Sequence, residues 1–168
     1  MKREMTGLVD VVGLLREQLR DTVRLIGHVQ YSQTHFRDRD SCIVDLLRNI
    51  SLELWTLRER IERRAASANR RPSVIDTQSE PLLTGDDDGS LESLLNRFCR
   101  YARKTSERFR TAQQGNDPEA VVLLDRILST ANTSIWFLDV YSNAVWIKSP
   151  LSRLPKWKHV SALHQMAG

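Results

Sequence analysis

The sequence predicts an all-α protein, a bundle of four long amphipathic helices. Three observations carry that prediction. Apolar residues recur at three- and four-residue steps over four long stretches, a spacing that gathers them on one helix face. Glycine and proline are scarce, 7 and 5, whereas a sandwich or barrel needs a turn signal every ~8–12 residues. The chain has 168 residues, about one domain by the usual prior and enough to bury a full core.

The first helix is expected from about Leu8 to Gln33. Leu8, Val12, Leu15, Leu19, Val23 and Ile26 form its stripe, and Val11, Leu14 and Leu25 widen it as a bundle helix requires. Arg16, Glu17, Arg20, Asp21 and Arg24 make the wet side. The second helix is expected from about Ser41 to Ala66, with Ile43, Leu46, Leu47, Ile50, Leu54, Leu57 and Ile61 inward. Arg58, Arg60, Arg63 and Arg64 crowd its end, where cations complement the helix dipole.

The longest connection is expected from Ser67 to Gly89, broken by Arg71-Pro72, Glu80-Pro81 and Asp86-Asp87-Asp88-Gly89. Val74-Ile75 and Leu82-Leu83 are the residues able to pin it to the bundle. Ser90 is the N-cap expected for the third helix, whose core face is Leu91, Leu94, Leu95, Phe98, Ala102 and Phe109. Gln114-Gly115-Asn116 ends that helix. Asp117 then caps the fourth, with Pro118 at its first position. Val121, Leu124, Ile127, Leu128, Ala131, Ile135, Leu138 and Val145 run along it, with Trp136 and Tyr141 beside them. From Trp146 onward the period is lost. This divides the chain into a bundle, 1–147, and a basic C-terminal extension, 148–168. Four helices with one long crossover between the second and third have the order of a ferritin-type bundle.

The net charge of +4, from 25 Lys+Arg against 21 Asp+Glu, is too mild to mark a dedicated nucleic-acid binder. Cys42 and Cys99 fit no C-x-x-C pattern and lie in apolar-periodic stretches, which predicts buried free thiols. No apolar run of signal-peptide or membrane-spanning type is evident, which predicts a soluble cytoplasmic protein with no membrane partner. A phosphate-cradling glycine loop, a G-x-S-x-G elbow, H-E-x-x-H and a duplicated Glu-x-x-His are all missing. The remaining chemistry lies in histidines and inward carboxylates. His28, Tyr31 and His35 share a helix face, and Glu59 closes the second helix among arginines. A histidine with carboxylates from facing helices suits iron. The same residues also serve as polar interface groups and arginine partners.

His28, followed by Phe36 eight residues on and Glu59-Arg60 thirty-one residues on, resembles the pattern of the DNA-protection-during-starvation (Dps) mini-ferritins. Trp136, within Ser134-Ile135-Trp136-Phe137-Leu138, falls where that family often has a tryptophan. The resemblance spans roughly residues 8–145. It implies a ferritin-like fold, iron oxidation and storage, DNA protection under stress, and a dimer-based homo-oligomer of the dodecameric kind. It also implies iron bound at a two-fold interface. His28 and Glu59 match two of the family's ligand positions, and Asp40 stands where the family has a second histidine. Val44 and Trp55 replace two carboxylates, and neither holds a hard cation. Two readings follow: His28, Asp40 and Glu59 hold a reduced iron site, or Trp55 fills it and the interface is held by packing. Some family members bind DNA non-specifically through basic termini, repeated across the shell so that weak contacts add. Here Lys148, Arg153, Lys156 and Lys158, near Trp146 and Trp157, are the matching candidates, and a nucleoid location goes with that role. The other class of function is a non-catalytic bundle used for assembly or as an adaptor.

Overall fold

A computed structural model describes residues 10–68 and 89–148, the last five of these by backbone alone. Among the described residues there are four helices and no strand: α1 (Val11–Phe36), α2 (Ser41–Ala68), α3 (Leu91–Gln114) and α4 (Pro118–Lys148). The expected fold class is therefore met as an all-α four-helix bundle. The described residues leave out Leu8, most of the long connection with Val74-Ile75 and Leu82-Leu83, and the extension beyond Lys148.

Each helix begins on a side chain that accepts an otherwise orphaned backbone N–H. Asp10 Oδ1 accepts from Gly13 N at 2.9 Å and caps α1 ahead of Val11. Asp40 Oδ1 accepts from Cys42 N at 3.0 Å and Ile43 N at 3.2 Å. Ser90 Oγ accepts from Ser93 N at 3.1 Å, and Asp117 Oδ1 from Ala120 N at 2.9 Å. Helix α3 ends as expected at Gln114-Gly115-Asn116. The left-handed residue there is Asn116 at φ 53°, while Gly115 stays right-handed at φ −76°. Helix α4 continues to Lys148, past the expected loss of period at Trp146.

Helix α1 packs on α2 and α3, and α4 packs on α3 and α2, so the four form a square with α1 and α4 on one diagonal. Contacts fix the directions. Gln18 meets Thr105, Thr22 meets Tyr101, and His28 meets Arg97, so α1 and α3 run antiparallel. Arg64, near the end of α2, meets Asp117 at the start of α4. With tight turns joining α1 to α2 and α3 to α4, α2 and α3 run in the same direction. The core is the expected aliphatic set, with Leu15, Leu47, Leu54, Ile61, Phe98 and Leu124 fully buried. Each such side chain contributes about 1.5–3 kcal/mol by leaving water.

Gly89 enters α3 with φ +67°, and a Cβ there would stand 3.0 Å from Cβ and Cγ of His35. Gly89→Ala is therefore expected to cost about 1–3 kcal/mol, from left-handed strain plus the clash at α1. Urea unfolding checks it; an unchanged midpoint would contradict both parts of the argument.

Candidate functional site

The residues expected to hold iron lie on three parts of the chain. His28 is half-buried on α1, and its Nε2 is 3.2 Å from Arg97 Nη1. Arginine has no acceptor, so the guanidinium donates and the imidazole nitrogen accepts. The lone pair a metal would use is thus turned to a cation. His35 is placed alike, with Nε2 3.3 Å from Arg39 Nη1 and its ring edge-on to Phe36. Asp40 spends Oδ1 capping α2. Glu59 is exposed on α2, nine residues before its last residue, Ala68. Among the described residues, no three His, Cys, Asp or Glu side chains gather into a group able to hold a metal within one chain. Of the basic candidates, Lys148 is the last residue of α4; Arg153, Lys156 and Lys158 lie outside the described residues.

A polar seam that the sequence reading missed joins α1 to α3. Gln18 Nε2 donates to Thr105 Oγ1 at 3.0 Å, and Gln18 Oε1 accepts from Arg108 Nη1 at 2.8 Å. The Thr22 and Tyr101 hydroxyls share a hydrogen bond of 2.8 Å. Arg108 Nη2 donates to Asp21 Oδ2 at 2.6 Å, and Lys104 Nζ to Asp21 Oδ1 at 3.2 Å. Asp21 is therefore not on the wet side where its neighbours placed it. Burial pushes the Tyr101 phenol up to about 12, against the opposing hydrogen bonds of Thr22 and Gln18. The seam is closed on itself, and its chemistry is positional: it fixes which face of α1 meets α3. Its sequence signal was present, in Gln18-Thr22 and Tyr101-Thr105, polar pairs four apart inside two apolar stripes.

The outer surface carries a different feature. Leu52 and Trp55 are exposed on α2, with the Arg58 guanidinium 4.7 Å above the Trp55 ring. On α4, Val122 is 70% exposed and Trp136 60%, with Phe137 and Val140 exposed beside them. Segment Pro118–Asn143 is long and apolar enough to cross a membrane by length and composition alone, a test that the core helix of a soluble protein also passes. The interleaved Ser, Thr, Asn, Asp and Arg of this segment hide its apolar average from a search for an unbroken run. Cys42 and Cys99 are also exposed, against expectation. Cys42 falls on the first turn of α2 next to the inward Ile43, and Cys99 follows the inward Phe98, so both step off the core stripe. Partial desolvation, helped by Asp139, still pushes the Cys99 thiol up.

Compared with known families, the sequence matches no family model, and it has no significant match among curated proteins.

Proposed function

We propose that this chain is an assembly-forming helical bundle, working as a subunit or adaptor rather than as an enzyme. The observation that carries the reading is the pair of uncovered apolar faces, Leu52-Trp55 on α2 and Val122-Trp136-Phe137-Val140 on α4. Large aromatics left exposed among polar residues on a helix face are a usual mark of an interaction surface. Native mass of the purified full chain tests it. An oligomer, or a monomer that becomes one on raising the concentration, is expected.

Iron storage with DNA protection is the second reading. Helices α2 and α3 run in the same direction, which supports a ferritin-type crossover by residues 69–88. Twenty extended residues reach about 66 Å, and the 28 residues of α2 rise only about 42 Å. His28 and Glu59 keep the spacing that the resemblance implies, and a two-fold interface would draw ligands from two chains. Against it stand the Arg97 guanidinium on His28, the capping duty of Asp40, and Val44 and Trp55 in place of carboxylates. Oxidation of ferrous iron with peroxide is expected at the background rate. Fast saturable oxidation lost in His28→Ala would move the conclusion to the iron reading. Salt-sensitive DNA retention that disappears on removing residues 148–168, with the assembly intact, would support the DNA role.

A further inference from the structure

We infer that a second copy of this chain covers the outward face of α4, through an antiparallel two-fold pairing of α4 with itself centred at Ala131. The inference rests on the assembly reading and names its partner and register.

The inward stripe of α4 is Ala120, Leu124, Ile127, Ala131 and Leu138, all buried against α3 and α2. On the opposite side Val122, Arg126, Ser129, Thr133, Trp136 and Val140 also step by three or four residues, so they form a second stripe along the same helix. Val122, Trp136 and Val140 are exposed, and Phe137 sets its ring edge-on to Trp136 at 4.9 Å. A helix apolar on one face is explained by its own core. One with large apolar groups on both faces has a second surface to cover.

The order of residues in this outer stripe identifies the cover. Val122 and Val140 each stand nine residues from Ala131, Arg126 and Trp136 each five, and Ser129 and Thr133 each two. A two-fold interface pairs a surface with its own copy, residue i against j and j against i. An antiparallel dyad level with Ala131 therefore puts valine against valine at both ends. It lays each Arg126 guanidinium on the partner's Trp136 indole, a favourable cation–π contact. Short hydroxyl side chains, Ser129 and Thr133, meet at the crossing point, where helix backbones approach most closely. A parallel pair instead sets Arg126 against Arg126 of the partner subunit. A bilayer is a poorer cover, because the Arg126 guanidinium in mid-stripe would lose water without gaining a partner there.

The strip is about 27 Å long and about one helix diameter, ~10 Å, wide. That lies below the ~800 Å² per partner of standard interfaces, so the dimer is expected to dissociate in the micromolar range.

Sedimentation velocity of the full chain, from nanomolar to high micromolar concentration, reads the equilibrium, with circular dichroism to verify that each variant is helical. Trp136→Glu is expected to weaken the dimer about tenfold or more, as loss of a central aromatic anchor does. The register has its own test. Val122→Lys with Val140→Lys in one chain should abolish the dimer. Val122→Glu with Val140→Lys should restore it, because the dyad sets these two positions opposite each other. If both double variants behave alike, the register is wrong and the inference falls. An oligomer indifferent to Trp136→Glu overturns the α4 pairing while leaving the assembly reading in place. A wild type that stays monomeric throughout overturns both. A monomer that binds neutral or anionic vesicles with a blue shift in tryptophan fluorescence, abolished by Trp136→Glu, overturns the pairing in favour of a lipid cover. A monomer that dimerises only after removal of residues 149–168 assigns the face to the C-terminal segment and overturns it too.

Discussion

Gln18→Leu is expected to lower the unfolding free energy by about 2–4 kcal/mol, although leucine matches glutamine closely in volume. The side chain is fully buried and serves two partners on α3. Its amide donates to Thr105 and its carbonyl accepts from Arg108, whose side chain is 13% exposed. Leucine leaves the core filled but strips one hydrogen bond from a buried guanidinium and one from a buried hydroxyl. Leaving such groups unmet costs about 1–3 kcal/mol each, which decides the sign against the apolar gain. Arg108→Met alone should also destabilise, because it removes the shorter of the two cation contacts on Asp21. The double variant should cost less than the two separate losses together, since each single change orphans what the other removes. Chemical denaturation of the four chains in this cycle measures the coupling. Strict additivity would mean that the seam does not act as a unit.

The seam also shows where reading the sequence succeeded and where it stopped. Periodicity recovers the large inward aliphatics of α2 and misses only the small Ala65, because Ile43, Leu47, Ile50, Leu54, Leu57 and Ile61 obey one rule, the removal of apolar area from water. The same rule passes over Gln18, Thr22, Tyr101 and Thr105, whose burial depends on partners 79 to 87 residues away. Two helices must already be docked before any of the four has a reason to be inside. Asp40 illustrates a nearer ambiguity. A carboxylate just before a helix is equally a cap and a ligand on paper, and only the backbone geometry assigns it to Cys42 N and Ile43 N.

The outer faces were legible as residues but not as surfaces. Trp136 and Trp55 both stand out in the chain, but a family pattern accounts for the first and a filled ligand site for the second without placing either on a surface. Helical phase places Trp136 opposite the buried side of Ala131 and Leu138, which is why it faces out at 60% exposure. The second stripe on α4 is faint in the sequence because two valines and a tryptophan share it with an arginine, a serine and a threonine. A periodicity search keyed to the strongest apolar set finds the core stripe first and stops there. The histidines tell the converse story: their types and spacing suggested chemistry, and the guanidiniums of Arg97 and Arg39 supply a structural use for both rings.

Asp117→Ala is expected to cost about 2–4 kcal/mol, since one carboxylate performs two tasks at the end of the bundle where α2 meets α4. It caps α4 through Ala120 N, and it accepts from Arg64 Nη2 at 2.9 and 2.7 Å. Both side chains of the pair are less than one-fifth exposed, so solvent screens them weakly. Arg64 then retains Ser67 Oγ, 3.2 Å from Nη1, and Glu119, whose carboxylate is 73% exposed and lies 3.1 Å from Nε at an angle unsuited to a hydrogen bond. For a domain of this size the loss corresponds to a fall of about 5–15 °C in melting temperature. The pH dependence follows from the same contacts. Burial by itself would raise the pKa of Asp117, but the Ala120 N–H and the Arg64 guanidinium outweigh it and hold the carboxyl below its ordinary value. A carboxyl depressed on folding contributes its full stability above the unfolded pKa, near 3.9, and loses it as the pH falls through the folded one. The gap between wild type and Asp117→Asn should therefore be constant near neutrality and narrow below about pH 4. Asparagine keeps much of the cap, so whatever gap it leaves at pH 7 reports the ion pair with Arg64. A gap that stayed level down to pH 2 would show that the charge on Asp117 plays no part in joining α2 to α4.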